Sequence, residues 1–192
     1  MAHFKFDISK IAKLDDPGRF EQLRPDAMWD ALDRPDPHVI VDLGAGTGIF
    51  AAAFSRLAPN ATVYAADTED AMLTWMREHR PEVEAGRVVP IKAEETGLPL
   101  GDGVADLVTM VNVHHELAQP AATYREAARV LKKGGQILIV DWKPEETPKG
   151  PPMAVRASAR SLEDFLRDAG FGHVQSRDVL PWHSIVTGVK AG

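Results

Sequence analysis

The stretch Val39-Ile40-Val41-Asp42-Leu43-Gly44-Ala45-Gly46-Thr47-Gly48 constrains this chain more than any other. An apolar run passes through one acid and ends in three alternate glycines. It predicts a buried strand that stops at Leu43, a turn where glycine lets a ligand reach the backbone, and a helix beginning near Thr47. Such a turn is a floor for a nucleotide-like ligand. The dinucleotide fingerprint G-x-G-x-x-G would place its third glycine at position 49, where this chain has Ile49. Asp42 adds a second objection, because a carboxylate at the strand end repels a pyrophosphate and favours a ligand that carries positive charge.

Around this stretch, strands and helices alternate. Residues 38–43, 62–66, 87–92, 104–111 and 136–141 read as five strands, nearly unbroken in Val, Ile, Leu and Ala, which predicts a parallel sheet covered on both faces. Pro90 removes a ladder donor and suits an edge strand. Helices are expected over 22–32, after Thr47, after an N-cap at Thr68, and from Pro120 to a Lys132-Lys133-Gly134-Gly135 stop. Beyond a Pro-, Lys- and Glu-rich loop at 142–152, Ser161-Leu162-Glu163-Asp164 reads as a capping box for a last helix closed by Gly170. Residues 173–180 and 184–190 then lie too close for a crossover and should form an antiparallel hairpin.

With 192 residues, 44% hydrophobic and 26% charged, one domain must hold both ligand and substrate. We take 1–20 as an N-terminal arm or lid and 21–192 as the single domain. The formal net charge of −6 argues against nucleic acid as a partner. No cysteine is present, which removes disulfides, thiolate metal sites and a cysteine nucleophile. No run reaches membrane-span length and the first ten residues lack a signal-peptide core, so a cytoplasmic location is the default expectation.

The glycine stretch resembles motif I of the class I S-adenosylmethionine-dependent methyltransferases, and the likeness extends to further motifs between Val39 and Val189. It implies an α/β fold, a doubly wound Rossmann-like seven-stranded sheet of order 3-2-1-4-5-7-6, and S-adenosyl-L-methionine as cofactor. Asp42, Gly44, Ala45 and Gly46 would line its methionine end, the acid facing an amino group and a sulfonium. Asp67 stands at about the 20-residue distance at which an acid accepts both ribose hydroxyls, with Thr68 beside it; its plainer reading is a helix-capping aspartate. Ala93-Glu94-Glu95-Thr96-Gly97-Leu98-Pro99 looks like the family's Gly-Asp-Ala-x-x-Leu-Pro, where the acid meets the adenine amino group. Glu94 replaces that acid with a side chain one methylene longer, and Glu95 would supply the next backbone amide.

Residues 106–117 look like the strand-four motif of small-molecule methyltransferases related to the quinone-biosynthesis C-methyltransferases. Asn112 would border the cofactor, His115 would be the catalytic group, and Glu116 would orient it. The alternative is that His114 and Glu116 merely cap the loop. Methyl transfer from a sulfonium is an in-line displacement that demands alignment and exclusion of water, and a base only when the acceptor must lose a proton. The arm, with Phe4 and Phe6, would close over a small-molecule substrate, with Trp29 and the loop after Asp141-Trp142-Lys143 as further walls. His3, His114, His115 and His183 lack ligand spacing, so no metal is expected. A nicotinamide-dependent oxidoreductase and a non-catalytic cofactor-binding module are the competing functions. The acceptor and the oligomeric state are not readable from the sequence.

Overall fold

The computed structural model describes residues 11–33 and 36–192. The side chains expected in the arm at His3, Phe4 and Phe6 lie outside the described residues. Seven strands make one sheet: β1 (Val39–Leu43), β2 (Thr62–Asp67), β3 (Val88–Lys92), β4 (Ala105–Val111), β5 (Leu131–Trp142), β6 (Phe171–Arg177) and β7 (His183–Lys190). Their order is β3-β2-β1-β4-β5-β7-β6. Strands β1 to β5 pair in parallel, and β7 runs antiparallel to both β5 and β6. This is the doubly wound order that the sequence resemblance implies.

Successive residues of β1 show why the strands read as unbroken apolar runs. Ile40 packs on one face with Phe54, Met28 and Leu138, while Val41 packs on the other with Tyr124, Leu131 and Leu166. Both are fully buried, so neither position tolerates a polar residue. The helices α1 (Ile11–Leu14), α2 (Pro25–Trp29), α3 (Ile49–Leu57), α4 (Asp70–His79), α5 (Pro81–Glu84), α6 (Pro120–Val130) and α7 (Ala159–Asp168) supply the two covers. Pro90 does lie on an edge strand, as its missing donor requires.

Several ends differ from the sequence reading, each for a local reason. The helix expected over 22–32 is confined to α2 because Pro25 takes its first turn, and Pro17–Glu21 before it is a separate 3-10 turn. Helix α6 stops at Val130 rather than in the Lys-Gly segment. Leu131 is extended at its cap and pairs with Ala105, so β5 begins there and shifts register before Gln136 pairs with β4 opposite Leu107. Helix α4 has Glu69, not Thr68, at its cap: the Asp67 carboxylate already accepts the Glu69 amide at 2.9 Å, and Thr68 is exposed. In α7 the cap is Ser158, whose hydroxyl accepts from the Ser161 amide at 3.1 Å.

No helix among the described residues is long and apolar enough to cross a membrane. What the fold delivers to function is convergence: the carboxyl ends of β1, β2, β4 and β5 bring 42–48, 67, 112–116 and 141 to one border of the sheet, the crevice side of a doubly wound fold.

Candidate active site

The glycine loop has a backbone that only glycine adopts without strain, with φ of +68° at Gly44, +56° at Gly46 and +75° at Gly48. The three positions differ in what surrounds them. A Cβ on Gly44 would lie 2.6 Å from a Val113 methyl and one on Gly48 would lie 2.8 Å from the Met76 sulfur, so protein fills both spaces. At Gly46 the nearest atom is Leu14 Cδ1 at 3.5 Å. Gly46 is the one of the three where a side chain would meet only the far end of the Leu14 side chain, while Gly44 is the most exposed.

The loop's amides are turned inward. Gly44 and Ala45 both donate to the Ala66 carbonyl, at 2.9 and 3.0 Å, and Gly48 donates to Ala45 at 2.9 Å. The Gly46 amide donates to Asp67 Oδ2 at 2.7 Å. A phosphate cradle needs free amides pointing at the ligand, and this loop has spent these four. Below it sit two acids. Asp42 is 2% exposed, accepts from the Thr109 hydroxyl at 2.6 Å, and faces the Ala51 amide in the first turn of α3. Burial pushes its carboxyl up to about 7, opposed by the Thr109 hydrogen bond and reinforced by the charge of Asp67, itself raised by burial. Two carboxyl groups beneath a loop whose three glycine amides and Ala45 amide are already bonded within the protein fit a cationic ligand better than an anionic one.

The described part of the arm is clasped onto this loop. The Leu14 carbonyl accepts from Arg19 Nη1 at 2.7 Å and lies 3.5 Å from the Thr47 hydroxyl. Arg80, at the end of α4, donates through Nε to the Thr47 carbonyl at 2.8 Å and pairs with Asp15. Phe20 meets Phe50 edge-on with centroids 5.5 Å apart, and the Arg19 guanidinium stands over the Phe50 ring at 5.0 Å. These contacts hold α1 above Gly46.

The second half of the site lies where β4 and β5 end side by side. Val111 pairs with Val140, so the residues that follow each strand are neighbours despite their distance along the chain. Asn112 has φ of +60°, donates its amide to Val140 at 2.7 Å, and leaves its side-chain oxygen buried without a partner among the described residues. A strained backbone and an orphaned acceptor at a strand end mark a ligand-facing position.

The 3-10 turn His114–Glu116 then splits the two histidines. His114 turns inward, its Nδ1 2.9 Å from the Tyr124 hydroxyl, and burial holds it below its ordinary value. His115 faces Asp141, its Nδ1 2.9 Å from Oδ1. Its Nε2 lies 3.7 Å from Glu116 Oε1, but the Glu116 side chain is 46% exposed against 0% for Asp141. Water screens the longer contact, so Asp141 is the acid that orients the ring. Burial alone would lower His115. The Asp141 hydrogen bond and charge outweigh it, with Glu116 adding and Arg156 opposing, and the net direction is upward. Asp141 Oδ1 also accepts from the Trp142 amide at 2.8 Å, while Oδ2 is buried without a partner among the described residues.

Thr68 is exposed, with its carbonyl accepting from Lys92 at 2.7 Å. Glu94 is exposed in a tight turn with Gly97, its side chain free to reach outward. Glu95 is engaged by the protein: Oε1 accepts from the Gln119 amide at 2.5 Å and anchors the start of α6. Trp29 stacks on Phe54 at 6.2 Å, a core contact. No group of three or more His, Cys, Asp or Glu side chains suited to a metal ion occurs among the described residues.

Sequence reasoning missed Asp141 as the partner of His115 and missed His183 entirely as a site neighbour. His183 is fully buried against Trp142 at 4.2 Å, neither ring nitrogen has a hydrogen-bond partner among the described residues, and burial holds it neutral, down to about 3. The available signal for Asp141 was an acid directly after Ile137-Leu138-Ile139-Val140, where a buried strand has no other use for one.

Comparison with known proteins bears on this site. Residues 41–139, about half of the chain, match the family model described as "Methyltransferase domain". Over 152 residues the chain is 32% identical to a malonyl-[acyl-carrier protein] O-methyltransferase of Methylococcus capsulatus, covering 73% of this chain and 54% of that protein. It is 35% identical over 107 residues to a ubiquinone/menaquinone biosynthesis C-methyltransferase of Pasteurella multocida, covering 55% and 40%. The chain thus spans about half the length of the curated relatives it matches. A crystal structure titled as a SAM dependent methyltransferase from Aquifex aeolicus superposes with a TM-score of 0.89 at 32% identity, covering 96% of this chain and 99% of that one.

Proposed function

Since the chain belongs to the class I S-adenosylmethionine-dependent methyltransferases, we propose that it methylates a small acceptor that must lose a proton, with His115 taking that proton and Asp141 holding the imidazole in place. The observation that carries this reading is the 2.9 Å contact between His115 and a fully buried Asp141 beside Asn112. A buried carboxyl group on one ring nitrogen fixes the tautomer that leaves the other nitrogen a lone pair, which is the state a general base needs.

S-Adenosylmethionine, when bound, supplies an electrophilic methyl group on a positive sulfur. The protein's part is to bind, align and dry the reactants. At Gly46 the loop would approach the ligand, Asp42 and Asp67 would offer negative charge to a positive ligand, and the Asp67 carboxylate, held by the Gly46 and Glu69 amides, would accept from ribose hydroxyls. Asn112 offers its unpartnered oxygen toward the same crevice. Glu94 remains a candidate for the adenine end, and Glu95 contributes by anchoring the turn. Leu14 and the clasp around it would cover the bound cofactor, and the arm would then serve as a lid.

The two kinds of relative suggest different acceptors. A malonyl carboxylate is already a nucleophile and has no use for a base. A phenol-like hydroxyl, of the kind a quinol carries, must be deprotonated for attack at oxygen or at the adjoining ring carbon. The His115–Asp141 pair therefore favours the second class.

An assay of S-adenosylhomocysteine release with a panel of phenolic, enolic and carboxylic acceptors tests the proposal. Turnover of phenols or enols that rises with pH through the His115 ionisation, and falls about 10²–10⁴-fold in His115→Ala, is expected. Turnover of carboxylic acids alone, indifferent to His115, would overturn it. Binding of the cofactor with no turnover of any acceptor would favour the binding-module alternative.

A further inference from the structure

Arg19 is a guanidinium without a carboxylate. It lies in the 3-10 turn Pro17–Glu21 of the arm, and its hydrogen bond among the described residues goes to the Leu14 carbonyl. No Asp or Glu forms an ion pair with it there; Asp16 acts on it only at longer range. A half-buried cation in this position is costly unless something negative compensates it. Burial lowers Arg19 to about 10, and the Asp16 charge only partly opposes that. Arg19 is an unpaid charge as the protein stands. Its remaining N–H groups are not sealed inside the core, since none of its nitrogens is among the buried unpartnered atoms.

Its surroundings say where it points its charge. The carbonyl that it holds belongs to Leu14, whose side chain covers Gly46, and the Thr47 hydroxyl approaches the same carbonyl. The ring beneath it is Phe50, second residue of α3. Helix α3 starts at Gly48 with no side-chain cap, and Asp42 meets only its Ala51 amide, from beneath the loop. Asp42 and Asp67 lie beneath the loop on the other side. The site thus separates its charges, positive at the arm and α3, negative under the glycines. An amino-acid group with its ammonium and carboxylate at one end asks for that separation.

We propose that Arg19 binds the amino-acid carboxylate of S-adenosylmethionine, which makes the arm part of the cofactor site and not only its cover. The proposal rests on the cofactor reading above and adds a residue to it. A guanidinium receives a carboxylate through two parallel hydrogen bonds, and the α3 N-terminus adds to the attraction.

Isothermal titration of the full chain with S-adenosylmethionine and with decarboxylated S-adenosylmethionine, which lacks only that carboxylate, is the test. The wild-type chain should bind the first more tightly. Arg19→Met should weaken S-adenosylmethionine by about ten- to a hundredfold, as expected for charge-assisted hydrogen bonds, and leave the decarboxylated compound within about twofold. Arg19→Lys should recover part of the lost affinity, and it serves as the check that the turn still folds. Equal loss for both ligands would make Arg19 a structural clasp and overturn the proposal, as would no loss for either. If the wild-type chain binds neither compound, the cofactor reading itself fails, a result distinct from failure of the anchor alone.

Discussion

Replacing Asp141 by asparagine removes the negative charge from a side chain with no exposed surface while keeping its shape. The partner it deprives is His115, whose elevated ionisation exists only because the Asp141 contact outweighs burial. A hydrogen bond to a charged group favours the charged form of its partner, so losing it should move the His115 ionisation downward. It would then titrate below its ordinary value, because burial is left opposed only by the more exposed Glu116. The ring signals of the chain's seven histidines can be followed by NMR against pH, with His115→Gln identifying the resonance. No acceptor is needed for this measurement. The linkage has a defined sign. A histidine raised in the folded state contributes stability that is complete below the unfolded value near 6.5 and lost as pH rises through the folded value. Asp141→Asn should erase that component of the stability profile. With an acceptor in hand, the same variant should lose about 10²–10⁴-fold in rate with cofactor affinity unchanged. A His115 titration unmoved by Asp141→Asn would refute the dyad.

Gly46→Val should abolish cofactor binding by titration calorimetry, since its side chain would stand where the loop would approach the ligand; at φ of +56° it should also cost about 1–2 kcal/mol in thermal unfolding. Asp42 is raised in the folded state, so stability should decline as pH rises from about 4 to about 7, the window in which the unfolded chain has released a proton that Asp42 retains. Keeping it protonated up to about 7 corresponds to about 4 kcal/mol between its two forms, and Asp42→Asn should flatten that part of the profile. Binding of a cationic cofactor to the wild type near pH 6 should release a proton, visible as a dependence of calorimetric enthalpy on the buffer. Arg80→Ala unfastens Asp15 and Thr47, so limited proteolysis should cut the arm faster, with cofactor protecting the wild type; equal cleavage with and without cofactor would count against a lid.

The sheet was legible because burial on both faces writes itself as unbroken apolar strands, and the glycine loop because three left-handed turns admit few other residues. What was hidden depends on partners distant in the chain. Nothing near Val130 says that Leu131 will pair with Ala105 and end a helix before its expected glycine. Thr68 looked like a cap because the sequence offers two candidates side by side, and it is the Asp67 carboxylate, two residues before Glu69, that accepts the Glu69 amide. The role of the Glu95 side chain, accepting the Gln119 amide, was hidden because that bond spans a loop. The choice between Glu116 and Asp141 as partner of His115 is decided by the parallel pairing of Val111 with Val140, which brings residues from two strand ends within hydrogen-bonding distance. Adjacent sequence suggested Glu116; topology selects Asp141.

The central claim is that a glycine loop with its amides turned inward and two acids beneath it receives a sulfonium nucleoside. Isothermal titration of the full chain with S-adenosylmethionine, S-adenosylhomocysteine and NADH tests it most directly. Saturable binding of the first two at one site per chain, lost in Gly46→Val, with no heat from NADH, is the predicted result. Binding of NADH without binding of either sulfur compound would contradict it.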